Sequence, residues 1–159
     1  MRRGLAVLIA VVLVLVATGG FAVIGVRHAS HQNSLNDERA QVALLAGRYA
    51  VDFTSVDYRH LQADFDAAAK NATADFSKKY LATVQAFATL YTKGQVVQTT
   101  SVDLAGVSSL TSTSAVVLVA LKGVATNTKT KLGTQQLFRM QISLTKVGDR
   151  WLTNNVVPL

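Results

Sequence analysis

Of the three histidines, only His60 has a carboxylate at a spacing suited to acid–base work. It lies in Asp57-Tyr58-Arg59-His60, and Asp64 follows one helical turn later. An Asp and a His four residues apart share one flank of a helix and can work together as base and acid. The same register turns Leu61, Phe65 and Ala68 inward, so His60 and Asp64 are expected to form a surface pair. His28 and His31 offer two imidazoles three residues apart with no further ligand close by, which fits a solvated joint better than a metal site. Asp64 and Asp66 show no arrangement that marks a glycosidase pair. The chain contains no glycine-rich phosphate loop, no nucleophile elbow and no Asp-rich calcium loop. It has no cysteine, which excludes thiol catalysis, redox motifs and thiolate metal sites. The sequence therefore assigns no catalytic residue, no metal ligand and no cofactor, and the expected protein is not an enzyme.

Charge points the same way. The formal net charge is +7, but from Asp37 to Tyr80 six Lys/Arg face seven Asp/Glu. The excess follows residue 90, where seven basic residues are scattered among probable strands with only Asp103 and Asp149 beside them. Basic runs interleaved with aromatics are absent, so no nucleic-acid partner is expected. A solvated surface is the simplest use of this charge, and attraction to anionic lipid heads or cell-wall polymers is the next.

What holds such a domain is read from the N-terminus. Leu5 to Val26 is an apolar run without a charged residue, proline or side-chain amide. A helix of about 20 such residues matches the roughly 30 Å hydrocarbon layer of a bilayer. A cleavable signal peptide is the competing reading, with Arg2 and Arg3 as its basic start and Ala17-Thr18-Gly19 as a small-residue site. The run continues through Phe21, Ala22, Val23 and Ile24, beyond the usual apolar core of about 7–15 residues, which favours a retained anchor. Arg2 and Arg3 flank its start and orient the N-terminus to the cytoplasm. The expected organisation is a cytoplasmic tail over 1–4, a transmembrane signal-anchor over 5–26, a joint over 27–36 and an extracytoplasmic domain over 37–159. The membrane in question is the plasma membrane, crossed once.

Within that domain, helical and strand periodicities segregate. Val42, Leu45, Ala46, Tyr49 and Phe53 recur at helical spacing and predict a helix over about 35–54. Asp57 is expected to cap a second helix, Tyr58 to Lys70. A third starts near Thr73, carries the stripe Phe76, Tyr80, Val84, Phe87 and Tyr91, and closes on Lys93-Gly94 with a C-terminal glycine. Core packing is the expected role of that stripe. After Gly94 the texture turns to Val, Thr and Ser. Val96 to Leu104 reads as a strand and Ser108 to Ser114 as a connection. The apolar run Ala115 to Leu121 reads as a central strand buried on both faces. Asn127 to Gly133 is a basic loop. Phe138, Met140, Ile142 and Leu144 alternate with polar residues, as in a half-buried strand. Gly148-Asp149 is a tight turn, and Trp151 to Val157 closes the sheet.

Three helices followed by four antiparallel strands predict an α+β domain, with helices packed on one face of a curled sheet. Such an arrangement resembles the cone of nuclear-transport-factor-like and cystatin-like domains. Folds of this kind host many functions, so the fold alone selects none. A cone of this type could hold an apolar ligand, and Tyr49, Phe53, Phe87, Met140 and Trp151 are its candidate lining. Ordinary core packing is the simpler role for all five.

The stretch Arg48-Tyr49-Ala50-Val51-Asp52-Phe53-Thr54-Ser55-Val56-Asp57-Tyr58-Arg59, continued by Leu61 and Asp64-Phe65, resembles the actinobacterial Mce-associated membrane proteins. So do Phe76 with Tyr80, the run Ala115 to Ala120, Thr126-Asn127 and Arg150-Trp151-Leu152. The resemblance implies a single-pass accessory or scaffold protein that stabilises Mce complexes, which move lipids or sterols across the envelope. It also implies a soluble domain similar to that of the VirB-type scaffold of type IV secretion systems. No catalytic residue is carried over. The expected partners are the membrane, other membrane or envelope proteins such as Mce-type subunits, and, in a second reading, a lipid bound independently of any transporter.

Overall fold

A computed structural model describes residues 35–159. The expected tail, transmembrane segment and most of the joint, with Arg2, Arg3, His28 and His31, lie outside the described residues. Among those described, no helix is long and apolar enough to cross a membrane.

The first helix, α1, covers residues 35–54, as its periodicity predicts. Its inward face carries Val42, Ala46, Tyr49 and Ala50, all buried. Gly47 sits where the helix meets the sheet: a Cβ there would stand 3.1 Å from a methyl of Val102. The glycine lets helix and strand approach to a distance that alanine would strain.

Where Asp57 was expected to start a helix, the chain instead forms a two-residue strand, β1 (Val56–Asp57). The carboxylate of Asp57 accepts the Arg59 N–H at 2.9 Å, which bends the chain into a turn and leaves nothing for a helix end. Helix α2 therefore begins later, over Leu61–Ala69, with His60 as a cap whose side chain makes no capping bond. Helix α3 spans Ala74–Gly94, and the Thr73 hydroxyl accepts the Phe76 N–H at its start. Its end differs from expectation: Gly94 stays helical, and Gln95 takes the left-handed cap at φ 49°. Two contacts to orphan carbonyls explain the stop, since Gln95 N–H reaches Thr92 and Val96 N–H reaches Tyr91.

The sheet then forms in simple sequence order, with β2 (Val97–Leu110), β3 (Ser114–Thr126), β4 (Thr134–Val147) and β5 (Arg150–Pro158) following β1, all antiparallel. The polar stretch 108–110 is strand, not connection. It continues β2, paired to Val116 and Ala115, because bulges after Val102 and Val107 absorb the breaks in alternation. Gly148, at φ 60°, makes the two-residue turn between β4 and β5.

The core lies between α1 and one face of the sheet. Ala115, Val117, Val119 and Leu121 of β3 meet Met140, Ile142 and Leu144 of β4 and Trp151 of β5. The outer edge of β5 is covered in part by the α2–α3 linker: Thr73 N–H donates to Thr153 C=O and Thr153 N–H to Asn71 C=O, each at 2.8 Å. The Thr153 hydroxyl, fully buried, has no hydrogen-bond partner.

Candidate functional site

The stretch Arg48 to Arg59 folds into the C-terminal half of α1, β1 and the following turn, and its polar side chains bind the elements together. The Tyr49 hydroxyl donates to the Trp151 carbonyl at 3.1 Å, tying α1 to β5. Thr54 and Ser55 converge on the buried Thr100 hydroxyl at 2.8 and 2.9 Å, and the Gln98 amide donates to the Thr54 carbonyl. Asp52 accepts from the Asn71 side chain at 2.9 Å. Burial pushes the Asp52 carboxyl up, against the opposing pull of the Asn71 hydrogen bond and the Arg48 charge.

Beside this hub lies a small cavity of about 260 Å3, lined by Asp52, Ser55, Asp57, Asp64 and neighbouring residues of β2. It brings Asp64 beside Asp52 and Asp57 without Asp66 or His60, and each of the three carboxylates is committed. Asp64 accepts the backbone N–H of Asp57 at 2.8 Å, which fixes β1 against α2. Asp57 is held by the Arg59 guanidinium, with Nε 2.9 Å from Oδ1. That hydrogen bond, helped by the Arg59 backbone, lowers the Asp57 carboxyl to about 2. His60 is exposed at the start of α2. No hydrogen bond joins its ring to Asp64. Among the described residues, no group of three or more His, Cys, Asp or Glu side chains is placed to hold a metal ion.

Of the five residues named as an apolar lining, four meet in or against one cluster and only Phe87 stands apart. Tyr49, Met140 and Trp151 are packed in the core under α1. Phe53 is half-buried and meets Phe76 and Tyr80 edge-on, at 5.7 and 5.0 Å between ring centres. Phe87 stands 49% exposed. Its place in the stripe corrects the expectation for α3: Phe76, Tyr80 and Tyr91 turn toward Phe53 and Phe65, whereas Phe87 falls off that face. The helix as a whole buries no residue completely. Tyr80, partly buried, has its hydroxyl pushed up to about 12, chiefly by desolvation and then by Tyr91, Asp64 and Asp52 nearby.

The larger feature is the outward face of the sheet. On β3, Val117, Val119 and Leu121 are buried, but Val116 and Ala120 are half-covered and Leu118 is 45% exposed. The expected double burial of Ala115 to Leu121 is thus corrected: among the described residues, helices cover only one face. Register places Leu104 beside Ala120, Gly106 beside Leu118, and Leu137 beside Lys122 on this uncovered side. Lys122 donates to Asp103 at 2.8 Å, neutralising the carboxylate at the rim. Toward the β3–β4 loop the face opens into a groove of about 670 Å3, lined by Thr99, Ser101, Lys122, Val124, Gln135 and Leu137 among others. Sequence reading missed this surface, although the unbroken apolar run of β3 was its signal.

This is an α+β domain with helices packed on a five-stranded antiparallel sheet, and its structural neighbours include a nuclear-transport-factor-2-like protein. That neighbour is described as an Ntf2-like protein involved in plasmid conjugation, at TM-score 0.52 and 10% identity, covering 76% of this chain and 48% of the other. An IcmL-like type IV secretion system protein from Legionella pneumophila is similar at TM-score 0.62 and 14% identity, over 76% of this chain and 93% of that one. The periplasmic domain of DotI is similar at TM-score 0.62 and 13% identity, over 74% and 92%. At these identities the likeness is one of fold. No curated protein matches the chain in sequence. The chain belongs to the family described as "Uncharacterized protein Rv1363c/MT1408-like", whose model matches residues 3–156.

Proposed function

We propose that this protein is a non-enzymatic accessory or scaffold subunit of the cell envelope, anchored through residues 5–26 with its domain outside the cytoplasm. In this reading it stabilises or assists an Mce-type lipid- or sterol-import complex. The observation that carries it is the uncovered apolar sheet face around Leu104, Leu118 and Leu137, a surface built for contact and not for chemistry. Two further points support it. The carboxylate of the candidate acid–base pair, Asp64, is engaged in holding β1, and one domain similar in fold is described as an IcmL-like type IV secretion system protein. An anchor confines the domain to two dimensions, so weak contacts with neighbouring membrane proteins suffice. The test is a mild-detergent capture of the tagged full-length chain from native membranes, read by mass spectrometry. Recovery of Mce-type subunits supports the reading, and recovery of the bait alone overturns it.

The groove of about 670 Å3 favours one second reading, an envelope module that binds a lipid or another apolar ligand by itself. Native mass spectrometry of the detergent-purified protein decides it. A bound lipid that Leu137→Glu removes supports this reading, and a protein free of lipid sinks it.

A further inference from the structure

Strand β2 is fourteen residues long, but β1 pairs with it only at Val97 and Gln98. Ser55 takes the next position, accepting the Thr100 N–H at 3.2 Å. From Ser101 to Leu110 no strand among the described residues pairs with this edge. Open edges in single-chain proteins are normally blunted by lysine, proline, inward-pointing charge or β-bulges. Here the ten residues Ser101-Val102-Asp103-Leu104-Ala105-Gly106-Val107-Ser108-Ser109-Leu110 contain no lysine or proline, their one charge, Asp103, is paired with Lys122, and their protection is limited to two bulges. The two bulges, after Val102 and Val107, frame a regular central stretch, Leu104 to Val107.

Gly106, inside that stretch, is not required by any neighbour among the described residues. It has ordinary negative φ, and a Cβ built on it would meet nothing within 4 Å. A glycine inside a strand weakens it, and commonly marks a place where another backbone approaches. Leu104, two residues away on the same outward face, is 70% exposed. On the inward side of the edge, Gly47 brings α1 against Val102, and Leu44, one turn earlier on α1, is 68% exposed.

We infer that the β2 edge pairs with the β2 edge of a second copy of this chain, antiparallel about a two-fold axis at Gly106. The two sheets then form one continuous sheet with the helices of both copies on the same side. In this register Gly106 faces itself across the axis, Leu104 of each copy faces Ser108 of the other, and its side chain reaches diagonally toward the bare Gly106. The single acidic residues stay apart, each beside its own Lys122. Ten residues of strand run about 33 Å. With sheet and helix layers together about 20 Å deep, each copy buries roughly 650 Å2, or roughly 1,300 Å2 in total, above the ~1,200 Å2 at which stable specific interfaces begin. A two-fold, self-complementary contact is also the commonest way for identical chains to associate. The inference shares Leu104 with the sheet face proposed for the accessory role and Ser101 with the groove, but it rests on the unpaired backbone of the β2 edge and is read by self-association alone.

The absence of cysteine makes the test direct. In the full-length protein in mild detergent, Gly106→Cys should form a disulfide-linked dimer under gentle oxidation. Ser112→Cys, in the exposed β2–β3 turn, should stay uncrosslinked. Leu104→Lys, at an exposed position that leaves the monomer fold intact, should weaken the dimer about tenfold or more by light scattering, as loss of a central contact does. A monomeric wild-type chain overturns the inference. So does a dimer that Leu104→Lys leaves unchanged, or one crosslinked as readily through Ser112→Cys; either places the contact elsewhere.

Discussion

The two faces of β3 carry nearly the same residues and meet opposite fates. Ala115, Val117, Val119 and Leu121 lie under α1 and are almost wholly buried, while Val116, Leu118 and Ala120 on the reverse are only partly covered. Composition alone cannot produce that difference. It follows from the supply of helices: α1 covers one face of the sheet, and α2 and α3 pack chiefly around Phe53 and Phe65 beside it. A strand apolar on both sides but covered on one has kept a contact surface that the described residues of its own chain do not use.

Substitutions that treat the two faces alike should therefore separate them. Leu121→Ala leaves a cavity in the core and should lower stability by about 2–5 kcal/mol in chemical denaturation. Leu118→Ala, three residues away on the uncovered face, should change it by no more than about 0.5 kcal/mol. Equal losses at the two positions would mean that the outer face is part of the core.

Polar atoms on the covered side sharpen the contrast at smaller magnitude. Removing the Tyr49 hydroxyl in Tyr49→Phe frees the Trp151 carbonyl and should cost about 1 kcal/mol. Thr153→Val replaces a buried hydroxyl without a partner by a methyl of the same shape, and should raise stability by about 1 kcal/mol. Thermal melts of both variants, with opposite shifts, check the pair.

The smallest effects are those of pH on the two carboxylates near β1. The Asp57 carboxyl sits at about 2, below its ordinary 3.8, so its bond to Arg59 contributes stability above that ordinary value and loses it as pH falls toward 2. Asp52 is raised above 3.8, so the opposite holds: its contribution is fullest below 3.8 and fades as pH climbs through the raised value. Arg59→Gln should therefore lower the melting temperature slightly at pH 7 and not at pH 2. Asp52→Asn should raise it slightly at neutral pH and not in acid. Measured melts with the reverse pattern would mean that the two environments are misassigned.

How far the sequence foretold this architecture depends on the kind of signal each element carries. Helix α1 was legible from Val42 through Phe53, because its apolar spacing and its contacts agree. The strand β4 was legible from its alternation, and the β4–β5 turn from Gly148-Asp149. Local chemistry misled at Asp57, a residue suited to capping a helix but used for a turn, since Arg59 lies close enough to take its carboxylate. Phe87 misled because a stripe drawn through five positions is wider than the face α3 presents to Phe53 and Phe65. Residues 108–110 read as a connection because bulges hide the period of two. The uncovered sheet face left only one trace in the sequence, the unbroken apolar run of β3. Whether an apolar strand has one cover or two depends on how many helices return to it, and that is settled by tertiary packing. The expected surface pair of His60 and Asp64 does not form, because Asp64 turns to the Asp57 amide, a choice that local spacing does not show.

The decisive measurement uses Leu118→Glu in the tagged, full-length protein, captured from native membranes beside the wild type. If the sheet face is the contact surface, the variant melts at the same temperature as the wild type but loses the Mce-type subunits that the wild type retains. A variant that folds normally and recovers those subunits undiminished contradicts the assignment of that face to binding.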